Sequence, residues 1–330
     1  MLIAHLDADC FYVSAERVRD RFLREKPVGV LGNQGACVIA KSYEMKAAGV
    51  KTGEPIWEAV EKCPEGIYVK RDFRWYEVLS RAMLAIVKEF SPSVEYYSID
   101  EFFLTVDAEP QTFARAIQKQ IMERVGVPVT IGVARTKTLA KLVSDTAKPF
   151  GTLALIGREA EEELLASREV TDITGIAARS AAKLVPHGIR TCLDFARARP
   201  SLIRSVLSVT GERLCYELNG ERCLPLLTAR SPHKNIGRGG SIGQATSNPE
   251  TIWAWLVRNL ERLAEELEYH GVMAGKLLVS FQYKSGLARG DSVSMGPPTR
   301  RFSLLLEAVR HAWKQIYIPN EPLSHMDLLG

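Results

Sequence analysis

The order of apolar segments in residues 1–147 limits the folds open to this chain more than any other feature. An apolar run at 1–6 precedes a mixed segment and then an amphipathic helix, whose apolar side chains recur every three or four residues: Tyr76, Leu79, Met83, Ile86, Val87 and Phe90. The segments that follow are two strands, a helix, a strand and a helix: 94–99, 102–106, 110–125, 127–133 and 136–147. This order predicts a ferredoxin-like unit, a four-stranded antiparallel sheet backed by two helices.

Three carboxylates lie at strand ends of this predicted unit. Asp7 follows the first strand, and Asp100 and Glu101 form the turn of the hairpin. Because the first strand lies beside that hairpin in a ferredoxin-like sheet, the topology brings the three acids together. For either motif alone, helix caps or solvated hairpin residues would be an equally good interpretation. The two motifs together favour a shared site.

The chemistry of these acids indicates a metal. Carboxylates buried at strand ends are costly unless a cation neutralises them. Oxygen ligands without accompanying His or Cys indicate Mg²⁺, which binds a few carboxylates together with water and substrate phosphates. Two such ions about 4 Å apart are the usual device for phosphoryl or nucleotidyl transfer. The sequence therefore predicts a Mg²⁺-dependent transfer site.

Length and composition are typical of a soluble protein with more than one domain. A chain of 330 residues, 46% apolar and 25% charged, is too long for one compact core. The net charge is only +4, so any nucleic-acid-binding surface must be local. No apolar run approaches the roughly 20 residues of a membrane span, and no signal-peptide pattern is present. Six scattered cysteines without a CxxC pair favour reduced thiols and a cytoplasmic location. The lack of an apolar span predicts no membrane partner.

The second half of the chain predicts two further units. Acidic residues at 159–163 begin a helical unit that extends to about residue 225. Residues 230–241 carry three cations, no acid and several turn-forming residues, a composition typical of a basic linker. A mixture of helical and strand patterns within 242–330 predicts a small β/α module.

Five motifs carry a resemblance to a known family. They include Asp-Ala-Asp-Cys-Phe-Tyr at 7–12 and Tyr-Ser-Ile-Asp-Glu at 97–101, and together they occupy 7–16, 38–55, 97–101, 132–142 and 147–151. In order and approximate spacing they resemble the Y-family translesion DNA polymerases, of the polymerase V catalytic subunit and DNA polymerase IV types. The resemblance implies an α+β, multidomain right-hand polymerase with a ferredoxin-like palm, small fingers, a helical thumb and a β/α little finger. It assigns the palm to 1–10 and 72–158, the fingers to 11–71, the thumb with a helix-hairpin-helix to 159–229, a basic linker to 230–239 and the little finger to 240–330.

The function implied by the resemblance is template-directed, low-fidelity DNA synthesis past lesions, with Mg²⁺-dependent transfer from a dNTP to a primer 3′-hydroxyl. One alternative is a non-catalytic DNA-binding relative in a repair complex, although such relatives lose the acids that are present here. A second alternative is a nucleotidyl cyclase, which shares the palm and the metal pair. A cyclase would not need a helix-hairpin-helix, a basic linker or a second β/α module.

The resemblance assigns the catalytic and metal-binding roles residue by residue. It implies that Asp7, Asp100 and Glu101 are the catalytic metal ligands and that the main-chain carbonyl of Ala8 also faces a metal. Two Mg²⁺ ions are implied, with Mn²⁺ as a possible substitute. Asp9 shares a strand face with Asp7, but the family does not use this position as a required ligand.

The same resemblance implies a binding site for the triphosphate and the sugar. The backbone amides of Cys10, Phe11 and Tyr12 and the side chains of Tyr43, Lys46 and Lys148 are implied to contact the nucleotide. Tyr12 matches the steric-gate position, where an aromatic ring excludes a ribose 2′-hydroxyl. The alternative for Phe11 and Tyr12 is that both rings simply anchor the fingers to the palm.

Contacts with primer–template DNA are expected from the thumb and the little finger. A helix-hairpin-helix turn in the thumb would aim backbone amides at a phosphate, with these residues near it: Gly175, Ala177 and Lys183. A plain helical hairpin is the alternative, because the second glycine of the motif is Ala177 here. In the linker and the little finger the expected contacts are Lys234, Arg238, Lys276, Arg300 and Arg301. A sliding clamp or SOS-type accessory proteins are further expected partners, through a tail that this chain does not include.

Overall fold

The computed structural model describes residues 1–32, 37–229 and 234–330. The chain divides into two compact units, residues 1–230 and residues 231–330. Within the described ranges, we find no helix with the length and apolar character needed to cross a membrane.

The helices and strands follow the chain in this order. The first unit contains β1 (Leu2–Ala8), α1 (Phe11–Arg19), β2 (Val28–Leu31), β3 (Val38–Lys41), α2 (Tyr43–Ala47), α3 (Ile56–Lys62), β4 (Ile67–Lys70), α4 (Phe73–Phe90), β5 (Val94–Tyr96), β6 (Glu101–Val106), α5 (Pro110–Arg124), β7 (Val129–Ala134), α6 (Lys137–Ala147), β8 (Thr152–Ala154), α7 (Arg158–Ser167), α8 (Ala178–Leu184), α9 (Cys192–Arg197) and α10 (Pro200–Leu218). The second unit contains β9 (Gly237–Thr246), α11 (Pro249–Tyr269), β10 (Ala274–Tyr283), β11 (Ala288–Thr299), α12 (Phe302–Ile316) and β12 (Leu323–Leu329).

Strand β1 is the centre of a five-stranded sheet in the order β5-β6-β1-β7-β8. It pairs antiparallel with both β6 and β7, and β5 pairs antiparallel with β6. With α4 and α5 these four strands form the predicted ferredoxin-like arrangement, and the predicted α+β class is confirmed. The difference is β8, a three-residue strand parallel to β7. A strand this short shows no periodic pattern in the sequence.

Alternation along β1 sends its side chains into two different layers. Leu6 lies in a core that includes apolar side chains of α4 and α5. Ile3, on the opposite face, lies in a second core with Leu139 of α6. Asp7 is four residues after Ile3 and shares its face, so the first acid lies on the α6 side of the sheet.

Helix α6 lies directly against β7 because of a glycine. A Cβ on Gly132 would overlap the backbone of Ala140 and Ser144. The hydroxyl of Thr136 caps the helix by accepting a hydrogen bond from the amide of Leu139 at 3.3 Å. This close approach brings one face of α6 over the strand ends that carry the acids.

The region predicted as fingers has a small core of its own, whereas the region predicted as thumb shares the second core with β1 and α6. The fingers region forms a small sheet in the order β3-β2-β4, packed on Leu31, Val38, Met45, Val50, Ala59 and Cys63. The thumb region forms α7 to α10. Its predicted helix-hairpin-helix consists of a 3-10 helix at Val170–Asp172, a turn with Gly175 at a φ of +99°, and α8. The domain boundaries within this unit stay predictions.

The second unit is a four-stranded sheet in the order β11-β10-β12-β9, with α11 and α12 packed against it around a single core. Strand β9 begins at Gly237 and pairs with β12. The predicted linker at 230–239 therefore needs correction, because residues 237–239 belong to this sheet. A glycine-rich segment has no apolar alternation to reveal a strand, and β9 forms through its backbone pairing. Residues 230–233 lie outside the described ranges.

Candidate active site

Asp7 and Glu101 face each other across the two central strands. The register of β1 and β6 sets Asp7 opposite Glu101, and opposed residues of antiparallel strands lie on the same face. Asp7 is buried and Glu101 is half-buried. One carboxylate oxygen of each and one ring nitrogen of His5 all lie within 4.8 Å of one another. Two of the three predicted acids thus form one cluster.

Two lysines of the α6 segment contact these carboxylates. Lys148, the residue that follows α6, donates from Nζ to Asp7 Oδ2 at 2.7 Å. Lys141 donates from Nζ to Glu101 Oε1. The two lysines are seven residues apart, about two helical turns, so they project from the same side of α6. Gly132 allows α6 to pack closely against the sheet, and the α6 segment therefore supplies a positive charge to each acid.

Burial and charge separate the pKa values of the two acids. Burial raises the pKa of Asp7 to about 7, and the Lys148 ammonium offsets only part of this effect. Burial alone would also raise the pKa of Glu101, but His5 and the Lys141 ammonium lower it to about 2. Neighbouring carboxylates with pKa values driven apart are common at functional sites.

Asp100 lies at the same strand end, outside the closest group of ligand atoms formed by described residues. Its carbonyl accepts a hydrogen bond from the Ala8 amide at 2.9 Å, which connects the two predicted motifs. Its Oδ1 accepts from the Ser98 hydroxyl at 2.5 Å. Asp100 and Ala8 line the same cavity as Asp7. The third acid and the predicted carbonyl ligand therefore border the site.

Asp9 shares a face with Asp7 but makes different contacts. It is buried, and its carboxylate accepts hydrogen bonds from the Thr130 hydroxyl at 2.9 Å, the Tyr43 hydroxyl at 3.0 Å and the Phe150 amide at 2.9 Å. Both carboxylate oxygens are occupied by these donors. The contacts are consistent with the prediction that Asp9 is not a required metal ligand.

The donor set fits a divalent cation. Two carboxylates come from adjacent strands, and the buried Nε2 of His5 has no hydrogen-bond partner among the described residues. The ligand atoms lie within 4.8 Å of one another, and two atoms that bind one Mg²⁺ are at most about 4.2 Å apart, so a small side-chain movement would bring them around one ion. Mg²⁺ and Mn²⁺ both accept carboxylate ligands. The number of ions and their identity stay predictions.

A cavity of about 430 Å³ lies beside the acids, and helix α1 begins at it. Its lining comes from the regions predicted as palm and fingers: Asp7, Ala8, Asp9, Cys10, Phe11, Tyr12, Ile39, Ala40, Lys41, Tyr43, Lys46, Thr52, Asp100 and Lys148. Cys10 precedes α1 with a φ of 46°, and no side chain caps the first amides of the helix. Uncapped amides at a helix N-terminus carry partial positive charge and bind phosphate. The predicted phosphate contacts at Cys10 to Tyr12 therefore adjoin the acids.

Aromatic neighbours hold the ring of Tyr12 in place. Tyr12 stacks on Tyr76 with ring centroids 4.6 Å apart, and Phe73 meets it edge-on at 5.6 Å. Tyr12 is half-buried, whereas Phe11 is 3% exposed and belongs to the palm core. The anchor interpretation therefore describes Phe11. A fixed, partly exposed ring at the cavity is the placement that a steric gate requires, and this role stays a prediction.

Cations from the fingers complete the cavity wall. Lys46 is exposed and lines the cavity, as predicted for a phosphate contact. The predicted contact Tyr43 is bonded through its hydroxyl to Asp9. Lys41, which the sequence analysis did not select, also lines the cavity and donates to the Thr52 hydroxyl at 2.7 Å.

Comparison with known proteins identifies relatives that match most or all of this chain. Residues 6–145 match the model of the impB/mucB/samB family, and residues 233–330 match the model of its C-terminal domain. DNA polymerase IV 1 of Bacillus subtilis is 31% identical over 338 residues, which cover 100% of this chain and 81% of the relative. A solved Y-family DNA polymerase chimera of Dbh and Dpo4 matches with a TM-score of 0.82 and 21% identity, over 100% of this chain and 98% of the chimera. The chain belongs to the Y-family of translesion DNA polymerases.

A second curated relative carries a different name. Protein UmuC of Salmonella typhimurium is 32% identical over 284 residues, covering 81% of this chain and 67% of UmuC. The solved chimera is too distant in sequence to support more than the fold. The two family models and the curated relatives together establish the family.

The predicted DNA contacts of this Y-family chain differ in their surroundings. In the thumb region, the three predicted residues are exposed: Gly175, Ala177 and Lys183. In the second unit, Arg238 pairs with Glu266, and Arg300 pairs with Glu268 through Nε and Oε2 at 2.8 Å. Both arginines would have to leave an acid of α11 to reach a phosphate. The other three predicted cations are exposed: Lys234, Lys276 and Arg301.

Two residues of the acid cluster were not selected from the sequence. His5 lies two residues before Asp7, and this spacing on a strand places both on one face. Lys141 lies seven residues before Lys148, and this spacing on a helix also places both on one face. Spacing was therefore the available signal in both cases. His5 is the third member of the closest group of possible ligand atoms among the described residues, and the expectation of oxygen ligands alone stays a prediction.

Proposed function

We propose that this chain is a template-directed DNA polymerase that transfers the nucleotidyl group of a dNTP to a primer 3′-hydroxyl. The observation that carries the proposal is the pair of opposed carboxylates, Asp7 and Glu101, beside an uncapped helix N-terminus. Asp7 and that N-terminus line one cavity. Groups suited to a cation and groups suited to a phosphate are therefore next to each other, as nucleotidyl transfer requires.

The chain's own residues bind and orient the substrates in this proposal. The first amides of α1 and the ammonium of Lys46 bind the triphosphate. Lys148 lies 2.7 Å from Asp7, so it can exchange this carboxylate for a phosphate oxygen with a short movement. The ring of Tyr12 fills the space that a ribose 2′-hydroxyl would need, which restricts the enzyme to deoxynucleotides.

Two divalent ions, Mg²⁺ or Mn²⁺ as its substitute, complete the site in this proposal. Asp7, Asp100 and Glu101 hold them, together with the carbonyl of Ala8. Bound there, they supply positive charge to the primer hydroxyl and to the phosphates. Burial of Asp7 keeps water from competing for this charge.

A primer-extension assay tests the proposal. The purified chain should extend a labelled primer on a DNA template with dNTPs and Mg²⁺, and should stop when EDTA is added. Asp7→Asn should bind the same DNA without extending it, which controls for a contaminating polymerase. DNA binding without extension by the parent chain would indicate a non-catalytic relative. Template-independent formation of a cyclic nucleotide would indicate a cyclase.

Low fidelity and lesion bypass are tested on the same primer with altered templates. The enzyme should insert a nucleotide opposite an abasic site and should misinsert opposite undamaged bases more often than a replicative polymerase. Arrest at the abasic site with accurate copying elsewhere would leave a DNA polymerase without a translesion role.

The substrates proposed here are primer–template DNA and dNTPs. Contacts with a sliding clamp or with SOS-type accessory proteins are proposed on the family relationship alone. A cytoplasmic location is proposed as well, since all six cysteines are free.

A further inference from the structure

Lys41 is a cation of the cavity wall that has no part in the proposed function so far. It is the last residue of β3, and Ser42 then caps α2, the helix that carries Lys46. Both lysines line the cavity beside the acids. Lys41 is half-buried, whereas Lys46 is exposed. A half-buried lysine either stabilises the fold or binds an anion, and its contacts distinguish the two.

The contacts of Lys41 leave its charge without a counter-ion. Its Nζ donates to the Thr52 hydroxyl, a neutral acceptor, at 2.7 Å. Burial lowers the pKa of Lys41, and the Lys46 ammonium lowers it further. Glu54 is the carboxylate that opposes this shift, but Glu54 pairs with Lys62. No carboxylate within the described parts of the chain forms an ion pair with Lys41.

A purely structural role does not account for this arrangement. Lys62, in the same region, has its charge compensated by a carboxylate. Lys41 instead lies close enough to Lys46 for the two ammonium charges to repel each other. A phosphate contacted by both lysines would reverse this effect, since hydrogen bonds between opposite charges are the strong ones. The two lysines are therefore arranged for an anion.

The proposed reaction indicates which anion the two lysines bind. The α-phosphate of a dNTP must lie at the carboxylates, where the primer hydroxyl attacks it. Lys148, which contacts Asp7 at 2.7 Å, belongs to that end of the cavity. The groups that shift the pKa of Lys41 belong to the region predicted as fingers and to the start of α1, and no strand-end acid of the described chain is among them. Lys41 therefore lies toward the part of the cavity into which the other two phosphates extend.

We infer that Lys41 is a nucleotide-binding residue that acts with Lys46 to hold the two terminal phosphates of the incoming dNTP. The inference rests on the proposed function and adds a residue to the same site. Thr52 orients the ammonium, which keeps two further protons for phosphate oxygens. These contacts are made before and after the α-phosphate reacts, so they lower KM without a matching rise in kcat. They are also available to the pyrophosphate product.

Insertion kinetics of a single nucleotide test the inference on the full chain with primer–template DNA and Mg²⁺. Lys41→Gln removes the charge and keeps a donor for Thr52. It should raise KM for the dNTP about tenfold or more, the scale of one hydrogen bond to a charged group, and change kcat by less than about twofold. Inhibition by inorganic pyrophosphate should weaken by a similar factor. Lys41→Arg restores the charge and should recover most of both losses.

Binding of inorganic tripolyphosphate, measured by calorimetry without DNA or metal, tests the same contacts apart from catalysis. Lys41→Gln should weaken this binding about tenfold as well. The matched control is Lys51→Gln, which removes an equal charge from an exposed lysine outside the described lining of the cavity and should change none of the three values. In urea unfolding, Lys41→Gln should be at least as stable as the parent, because it removes the repulsion from Lys46.

The inference fails in distinguishable ways. Unchanged KM, pyrophosphate inhibition and tripolyphosphate binding in Lys41→Gln would overturn it and leave the polymerase proposal intact. A loss of DNA affinity in fluorescence anisotropy, with an unchanged KM, would mean that Lys41 binds a phosphate of DNA instead. A marked loss of stability in Lys41→Gln would assign Lys41 a structural role. A parent chain that never extends a primer would remove the proposed function and this inference together.

Discussion

Ion pairs of the predicted palm, in the first unit, and of the predicted little finger, the second unit, use similar groups at similar distances in different surroundings. In the palm, Lys148 and Asp7 are 2.7 Å apart with side chains 30% and 11% exposed. In the second unit, Arg300 and Glu268 are 2.8 Å apart with side chains 43% and 67% exposed. Burial raises the pKa of Asp7 to about 7. Water screens the exposed pair, and such pairs contribute about 0–1 kcal/mol. Exclusion of water, more than distance, therefore makes the palm a site for chemistry.

The same contrast separates the chemical step from DNA binding. Buried carboxylates need a cation, and the lysines of the α6 segment supply one positive charge to Asp7 and one to Glu101. Exposed arginines can exchange a carboxylate for a phosphate at little cost. Substitutions in the palm should therefore change the rate of nucleotide addition, and substitutions in the little finger should change affinity and its salt dependence.

The largest expected effect is on the rate when one acid is neutralised. Asp7→Asn and Asp100→Asn should each reduce primer extension by at least about 10³-fold, the scale of losing a main electrostatic stabiliser. Glu101→Gln should show a loss in the same direction. DNA affinity in a mobility-shift assay should stay near that of the parent. The control is Asp145→Asn, which removes the other carboxylate that pairs with Lys148. Full extension by Asp100→Asn would rule out the proposed role of this acid.

The second prediction concerns how the free energy of unfolding depends on pH, which reports the effect of burial on the pKa of Asp7. The pKa of Asp7 is about 7 in the folded chain, above its ordinary value near 3.9. The unfolded chain therefore loses this proton first, and the free energy of unfolding falls as pH rises from about 4 to about 7. Asp7→Asn should remove this decline, which amounts to up to about 4 kcal/mol. Urea unfolding in EDTA at several pH values measures it.

The sign of this effect has an internal control. Arg124 holds the pKa of the exposed Glu89 below its ordinary value. That interaction stabilises the fold above the ordinary glutamate pKa and is lost as pH falls, so Glu89→Gln should change stability with the opposite pH dependence. An equal pH dependence for the parent and Asp7→Asn would mean that burial does not raise the pKa of Asp7.

The third prediction concerns the contribution of the second unit to DNA binding. Deletion of residues 231–330 leaves the first compact unit with its own cores. We expect DNA affinity to fall by about 10²-fold and the slope of log affinity against log salt to decrease by about 0.9 for each phosphate that the protein no longer neutralises. Fluorescence anisotropy over a salt series measures both. An unchanged slope would show that the second unit does not bind DNA.

The sequence predicted the palm better than the little finger, and the difference in burial explains why. Asp7, Asp100 and Glu101 follow apolar strands whose order is legible from periodicity, so topology alone brought them together. The first residues of β9, 237–239, were assigned to a linker because the glycines there carry no apolar signal, and β8 is too short to show one. Arg238 and Arg300 were selected by charge alone. Their pairing with α11 depends on a sheet register that no local pattern encodes.

The fourth prediction concerns selection of the nucleotide sugar. It tests whether the partly exposed ring of Tyr12 excludes a 2′-hydroxyl by its shape. Tyr12→Ala should admit ribonucleotides about 10- to 100-fold more readily relative to deoxynucleotides, the range expected when a steric barrier is removed. Tyr12→Phe should change little, because the ring blocks the 2′-hydroxyl. Phe11→Leu is the control, since Phe11 lies in the core. Single-nucleotide insertion kinetics decide the matter. Unchanged discrimination by Tyr12→Ala would return Tyr12 to the role of an anchor.

The smallest effect is expected from the exposed pair of Arg300 and Glu268. Glu268→Gln frees Arg300, so DNA affinity should rise, by no more than about fivefold because an exposed pair contributes at most about 1 kcal/mol. Arg300→Gln should lower the salt slope by about 0.9 if Arg300 contacts a phosphate. Neither change should alter the free energy of unfolding by more than about 0.5 kcal/mol. Anisotropy titrations and urea unfolding on the same preparations measure these values.

If Arg300→Gln leaves affinity and slope unchanged, Arg300 is a surface partner of α11 and DNA is bound elsewhere on the unit. If Glu268→Gln instead destabilises the fold by several kcal/mol, exposure does not weaken this pair, and the distinction drawn between palm and little finger fails.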